Sequence, residues 1–224
     1  MAQPSRVTMM TDITLDEDAG PQVTCGQQRP KPRDRIIDTA RDLFRHHGFR
    51  AVGVDAIAEA AGTNKMTLYR HFGSKDDLIV ACLRQLVVES DVIWDRLRAD
   101  HQGDPVGLLH GWVHRVADYV IADERGCDMS NAAAELAEPD HPARRLIEGV
   151  KTTQRNRLEA LCRDAGVMQA DLLADTLWLL VEGARVNRQN VGAEGPNARF
   201  IRIAEVVIAA FLANPDLKPV IKAG

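Results

Sequence analysis

The chain has 224 residues, of which 45% are hydrophobic and 27% charged, and its formal net charge is −4. That length can bury a real apolar core, in one large domain or in a small domain joined to a larger one. The acidic balance excludes a protein that captures nucleic acid by bulk charge alone.

The charge is unevenly placed. Residues 1–28 carry one base against four acids, residues 29–77 ten against seven, and residues 78–224 seventeen against twenty-one. The net-positive stretch is therefore 29–77. Four cysteines, Cys25, Cys82, Cys127 and Cys162, lie far apart with no C-x-x-C or Cys/His metal spacing. This argues against a structural zinc site and against a secreted disulfide framework, and a reduced, cytoplasmic setting is expected. No segment has the charged, apolar, small-residue order of a signal peptide. No apolar run approaches the roughly 18 residues needed to span a bilayer, so no membrane partner is expected.

Residues 1–32 are polar, aperiodic and contain Pro, Gln and Gly, and read as a disordered tail. Its basic end, "RPKPR" (29–33), is either a solvated linker or an arm that touches phosphates or a minor groove. A first helix follows, with Ile36, Ala40, Leu43, Phe44 and His47 at helical spacing and Gly48 as its stop. "VDAIAEAAG" (54–62) is a two-turn helix that turns Ile57, Ala58 and Ala61 inward. Gly62, Thr63 and Asn64 join it to a short helix at about 64–71, within "GTNKMTLYRHF" (62–72). Ser74 then caps a long helix that runs to about Arg98, and Asp77 at its third position resembles a capping box.

Beyond "HQGDP" (101–105), helices are expected at roughly 105–122, 130–166 with a break at 138–142, 169–190 and 197–213. No strand alternation or repeat is present. The expected fold is all-α: an N-terminal three-helix helix-turn-helix domain (33–78) joined by a long helix to a C-terminal helical ligand-binding and dimerisation domain (79–214), with a C-terminal tail (215–224).

In the short helix, Leu68 and Phe72 are spaced to pack on Ile57 and the first helix. Lys65, Met66, Thr67, Tyr69, Arg70 and His71 are left outward. Such a face suits DNA. Thr, Tyr, Lys and His donate to phosphate oxygens, Lys and Arg also reach base edges, and Met66 can lie against a thymine methyl. Asn64 at the N-cap leaves free N–H groups that favour a phosphate. The alternative is an ordinary exposed polar face.

The order A-x-x-L-F, G-F, I-A-x-A-A-G, T-L-Y-R-H-F, S-K-x-x-L across residues 35–79 resembles the N-terminal domain of the tetracycline-repressor (TetR) family of one-component regulators. The resemblance implies phosphate contacts from Tyr69 and His71, a backbone contact from Lys75 at the next helix, and operator-dependent contacts from Lys65, Met66, Thr67 and Arg70. Where the family often has a Thr-Ser or Thr-Thr pair, this chain has Val52-Gly53, so a hydroxyl contact is absent or replaced by the Gly53 N–H. With Thr63 and Asn64 in the connecting turn, these are the expected contacts to a double-stranded DNA operator.

The rest of the chain must dimerise, sense or catalyse. The stretches 172–186 and 200–212 are strongly apolar. In the second, Ile201, Ile203, Ala204, Val207, Ile208, Phe211 and Leu212 cover more than a narrow stripe, so burial on two sides is expected. A homodimer through the last two helices satisfies this, as the family resemblance also implies; a wholly intramolecular core is the alternative. A pocket for an unidentified small-molecule effector is expected among the middle helices, from Trp94, Trp112, Tyr119, Cys127, Met129, Asn131, Glu135, Trp178 and Glu182. Ser130 is read as the N-cap of a helix there. Arg125, Arg144, Arg145, Arg155 and Arg157 are read as solvated.

His110, His114, Cys127, Glu135, Asp140 and His141 could serve catalysis, but no phosphate loop, nucleophile elbow or H-E-x-x-H pairing accompanies them. No catalytic residue, metal or cofactor is assigned. The function expected is a ligand-responsive, DNA-binding transcriptional regulator, a repressor that binds a palindromic operator as a dimer and is released by its effector. The alternative is a helical enzyme or a protein-interaction module carrying a DNA-binding head.

Overall fold

The computed structural model describes residues 31–122 and 124–214. Of the tails expected over 1–32 and 215–224, all but Lys31 and Pro32 lie outside the described residues, as does Cys25. Among those residues there are nine α-helices and no strand. They are α1 (Pro32–His47), α2 (Val54–Ala60), α3 (Lys65–Phe72), α4 (Lys75–Asp100), α5 (Pro105–Ala122), α6 (Asp128–Glu135), α7 (Pro142–Asp164), α8 (Ala170–Val191) and α9 (Phe200–Ala213).

Local chemistry explains most of the boundaries. Pro32 opens α1 one residue inside the expected tail, because proline is pre-set for the first helical position. Gly48 ends α1 with φ +87°, and its N–H donates to Phe44 O at 2.8 Å. Asn64 caps α3 by accepting from Thr67 N at 2.8 Å. Ser74 caps α4 by accepting from Asp77 N at 3.0 Å. Its hydroxyl in turn donates to the Asp77 carboxylate at 2.6 Å, so the capping box is half made.

One expected start is corrected. α6 begins at Asp128, not Ser130, and Cys127 stands at its N-cap without a side-chain bond. Ser130 lies inside the helix because its hydroxyl bonds across to Glu182 at 3.2 Å and to Lys151 at 3.1 Å.

The apolar side chains form two cores. The first holds Ile36, Ile37, Ala40 and Phe44 of α1, Ile57 of α2, Leu68 and Phe72 of α3, and Leu78, Ile79, Cys82 and Leu83 of α4. It extends to Met129, Ala132 and Leu136 around α6 and to Ala143 and Ile147 of α7. The helix-turn-helix head is thus packed directly onto the body. His47, spaced to join this core, is exposed instead. The second core joins α5, the later part of α7, α8 and α9 through residues such as Leu109, Val113, Leu158, Leu173, Leu177 and Ile208.

In α9, Ala204 and Ile208 are buried, Ile201, Val207 and Phe211 half-buried, and Ile203 and Leu212 exposed. Several arginines read as solvated tie helices together. Arg155 bonds Asp175 at 2.7 Å between α7 and α8, Arg157 pairs with Asp91 of α4, and Arg144 donates to Ala133 O at 2.9 Å.

Leu68 has no exposed surface, whereas Met66 is 79% exposed on the same helix. Leu68→Ala is expected to cost about 2–5 kcal/mol of unfolding free energy, and Met66→Ala under about 0.5 kcal/mol. Denaturant unfolding of the two variants checks this. Equal losses would mean that α3 is oriented otherwise.

Candidate functional site

α3 is fixed by burial of Leu68 and Phe72 and by the Asn64 cap. Its opposite face carries Lys65, Met66, Tyr69, Arg70 and His71, all exposed, with Thr67 half-buried beside them. Lys65 pairs with Asp55 of α2 at 3.0 Å, an exposed contact that a phosphate can replace at little cost. Lys75, at the first position of α4, donates to Arg50 O at 3.3 Å, and partial burial lowers its ammonium pKa. Gly53 precedes α2 in an extended conformation. It is exposed, and a Cβ built there meets nothing within 4 Å. Thr63 lies half-buried in the α2–α3 turn next to exposed Asn64. The ten residues expected to contact DNA therefore fall on α3, the turn before it and the starts of α2 and α4. Apart from Gly53 and the apolar Met66, they are polar or basic groups on or beside the exposed face of α3.

A second feature lies in the body. A cavity of about 390 Å³ is lined by Trp94, Trp112, Tyr119, Cys127, Met129 and Trp178, six of the nine residues expected to form a pocket. The chain has three tryptophans, and all three line it. Glu182 stands at its margin, bonding the cavity residue Lys151 at 2.7 Å. Asn131 and Glu135 are placed elsewhere, on a groove beside the α1–α2 turn. Asn131 donates to Arg125 O at 2.7 Å, and the Glu135 carboxylate accepts from Arg50 N at 3.1 Å.

Five cations also line the cavity, Arg41, Arg45, Arg115, Lys151 and Arg185, and the first four were not expected there. Arg185 was legible only as a neighbour of Trp178 on one face of α8. Lys151 left a fainter signal, as the only lysine between Lys75 and Lys218. Arg41 binds Glu89 through two bonds of 2.6 and 2.8 Å, and Arg45 binds Asp128 at 3.1 Å. The Lys151 ammonium lies 5.4 Å from the Trp178 ring centre, and Arg115 lies 5.2 Å from that of Tyr119.

Burial raises the Glu182 carboxyl. The hydrogen bond and charge of Lys151, the charge of Arg185 and the Ser130 hydroxyl outweigh it and hold the carboxyl below its ordinary value of 4.5. Cys82 and Cys162 are free thiols pushed up to about 12 by burial, which makes them unreactive. His110 and His114 both reach Glu205 of α9, at 2.6 and 3.9 Å. Among the described residues no group of three or more His, Cys, Asp or Glu side chains is arranged to hold a metal. No helix among them is long and apolar enough to cross a membrane.

A basic, protruding second helix of a helix-turn-helix, packed on an all-helical body, is the build of a DNA-binding transcriptional regulator. Residues 36–82 match the family described as bacterial regulatory proteins, tetR family. Over 139 residues the chain is 39% identical to the HTH-type transcriptional activator FasR of Mycolicibacterium smegmatis, a match spanning 62% of this chain and 63% of that relative. It is 27% identical over 186 residues to the transcriptional regulator AcuR of Cereibacter sphaeroides, covering 75% of this chain and 84% of AcuR. A solved TetR-family transcriptional regulator from Streptomyces coelicolor superposes with a TM-score of 0.75 at 27% identity, over 80% of this chain and 95% of that one. Residues 36–82 are thus a TetR-family N-terminal domain, and the described chain as a whole shares the fold of the solved TetR-family regulator. These relatives are regulators and not enzymes, so the helical-enzyme alternative falls away.

A carboxyl held low in the folded state stabilises the fold above its ordinary titration range, and that contribution is lost as the pH falls through the folded value. Glu182→Gln is therefore expected to cost about 1–3 kcal/mol at neutral pH. The difference from the parent should shrink as the pH drops below 4.5. Unfolding of both proteins across that range checks it. A difference independent of pH would mean that the carboxylate charge is not the source.

Proposed function

We propose that the protein is a ligand-responsive repressor that binds a palindromic double-stranded operator as a homodimer and is released by a small molecule in the central cavity. The carrying observation is the α3 face: Met66, Tyr69, Arg70 and His71 are exposed while Leu68 and Phe72 hold the helix from below. A helix eight residues long, presented this way, suits the major groove. Residues 33–78 are the reading head, and 79–214 the sensing and dimerising body.

Two exposed apolar stripes support the dimer. Leu172, Leu179 and Val186 recur every seven residues along α8, with Leu179 72% exposed, and α9 adds Ile203 and Val206, the latter 64% exposed. Apolar stripes of this kind on adjoining helices suit a four-helix interface with a second copy. A two-fold dimer sets its recognition helices about 34 Å apart, one turn of DNA.

The effector response is supported by what connects head and cavity. α4 begins at the head with Lys75 and contributes Trp94 to the cavity wall. α6 contributes Asp128 and Met129, with its N-cap Cys127, at one end, while its other end holds the α1–α2 turn through Glu135. An effector that shifts either helix changes the spacing of the two heads. Such coupling is commonly about 1–3 kcal/mol, a change of about 5- to 150-fold in affinity. FasR is named an activator, so the sign of regulation is the part of this reading that expression of the neighbouring genes must test.

Tyr69→Ala is expected to weaken binding on every duplex, because its hydroxyl serves phosphates. Arg70→Ala is expected to alter sequence preference, by about 1–3 kcal/mol at one position of the site. Binding of each variant to an operator and to a scrambled duplex checks the assignment. Uniform losses for both on all duplexes would contradict the role given to Arg70.

A further inference from the structure

The cavity's charge is lopsided in a way that identifies the kind of molecule it takes. Five cations line it against two carboxylates, Glu89 and Asp128. Two of the cations are accounted for, because Glu89 holds Arg41 and Asp128 holds Arg45. Of the remainder, Lys151 and Arg185 share one carboxylate. Glu182 Oε1 lies 2.7 Å from Lys151 and 3.3 Å from Arg185, and Glu182 itself does not line the cavity. Arg115 pairs with the exposed Asp118 at 3.5 Å and also meets the Tyr119 hydroxyl at 3.4 Å.

The walls between these cations are mainly apolar or aromatic. Trp112 is buried, Trp94 and Trp178 are half-buried, Leu97 and Val116 lie beside them, and the uncharged polar groups include Ser90 and Gln154, which bond each other at 2.9 Å. Two cations on one shared carboxylate, set against tryptophan, leave one positive charge to be matched from the cavity side. A neutral or cationic occupant would cover these groups without matching that charge, which is unfavourable once water is displaced.

The geometry points to an amphipathic monoanion as the effector, its carboxylate set between Lys151 and Arg185 and its apolar body against Trp94 and Trp112. Trp178 forms the wall at the charged end, where Lys151 already lies over its ring. A volume of about 390 Å³ accommodates a body of some ten carbon atoms with its head group. This inference rests on the cavity being the effector site.

The test titrates the full-length protein with 4-cyclohexylbutanoate, its primary amide and 4-cyclohexylbutylamine. These share a body and differ in head-group charge, and the fluorescence of the three cavity tryptophans reports binding. The carboxylate is expected to bind at least about tenfold more tightly than the amide, and the amine most weakly of the three. In Lys151→Gln and in Arg185→Gln the ratio of amide to carboxylate dissociation constants should fall to within about twofold of one. Because both ligands are measured on the same variant, a general loosening of the fold leaves that ratio unchanged.

Equal or tighter binding of the amide or the amine would overturn the anionic class while leaving the cavity as the ligand site. A carboxylate preference that survives both substitutions would overturn the place given to the head group. If none of the three ligands changes the tryptophan signal at millimolar concentration, the inference and the cavity reading fall together.

Discussion

The turn after α1 is held by the carboxylate at the end of α6, and the relation of head to body depends on that contact. Gly48 leaves α1 at φ +87°, and a Cβ there would come within 2.9 Å of the Glu135 carboxylate. The chain passes close to α6 because glycine permits both the angle and the approach. Around this point Arg50 N donates to Glu135, the Arg50 side chain reaches Glu135 O and Glu138, and Lys75 donates to Arg50 O. On the other side Arg45 binds Asp128, and Arg125 donates to Arg45 O and His46 O at 3.1 Å. α6 is eight residues long, so its cavity end and its head end lie little more than two turns apart. A change at Asp128 is felt at Glu135 without any long relay.

This placement also explains how an acidic protein can present a DNA-binding face. Several carboxylates of the body are engaged with cations from other parts of the chain, as in Arg157–Asp91, Arg155–Asp175, Lys151–Glu182 and Arg188–Glu124. Individually such surface pairs contribute little to stability, but they keep the negative charge local. On α3 the polar and basic side chains stand outward, with the Lys65–Asp55 pair at the edge. Net charge therefore describes the molecule poorly, and the field near α3 is set by the residues within a Debye length of it, about 8 Å at physiological salt.

Much of this was legible in the sequence, for reasons that can be located. Ile36, Ala40, Phe44, Ile57, Leu68 and Phe72 are spaced as one-sided stripes on short helices, and such stripes can face only one core. Asn64 and Ser74 act within three residues of themselves, so local chemistry was enough to place their caps. The cavity was half legible. Its aromatic walls follow from helical spacing, but its cations do not, because Arg41 and Arg45 come from α1, Lys151 from α7 and Arg185 from α8, and only folding brings them together. Ser130 was misread for a related reason, since a serine that suits an N-cap can also turn its hydroxyl to a distant Lys–Glu pair. Glu135 lay in the right segment, but its partner Arg50 is 85 residues away.

The central claim is that α3 reads DNA sequence as one half of a two-fold dimer. The most direct test is selection of bound duplexes from a random-sequence pool by the purified protein at near-physiological salt, where nonspecific electrostatic capture is weak. The account predicts enrichment of an inverted repeat whose half-sites are centred about 10 base pairs apart, or a multiple of that. Recovery of no common sequence, or of a single unrepeated element, would contradict it.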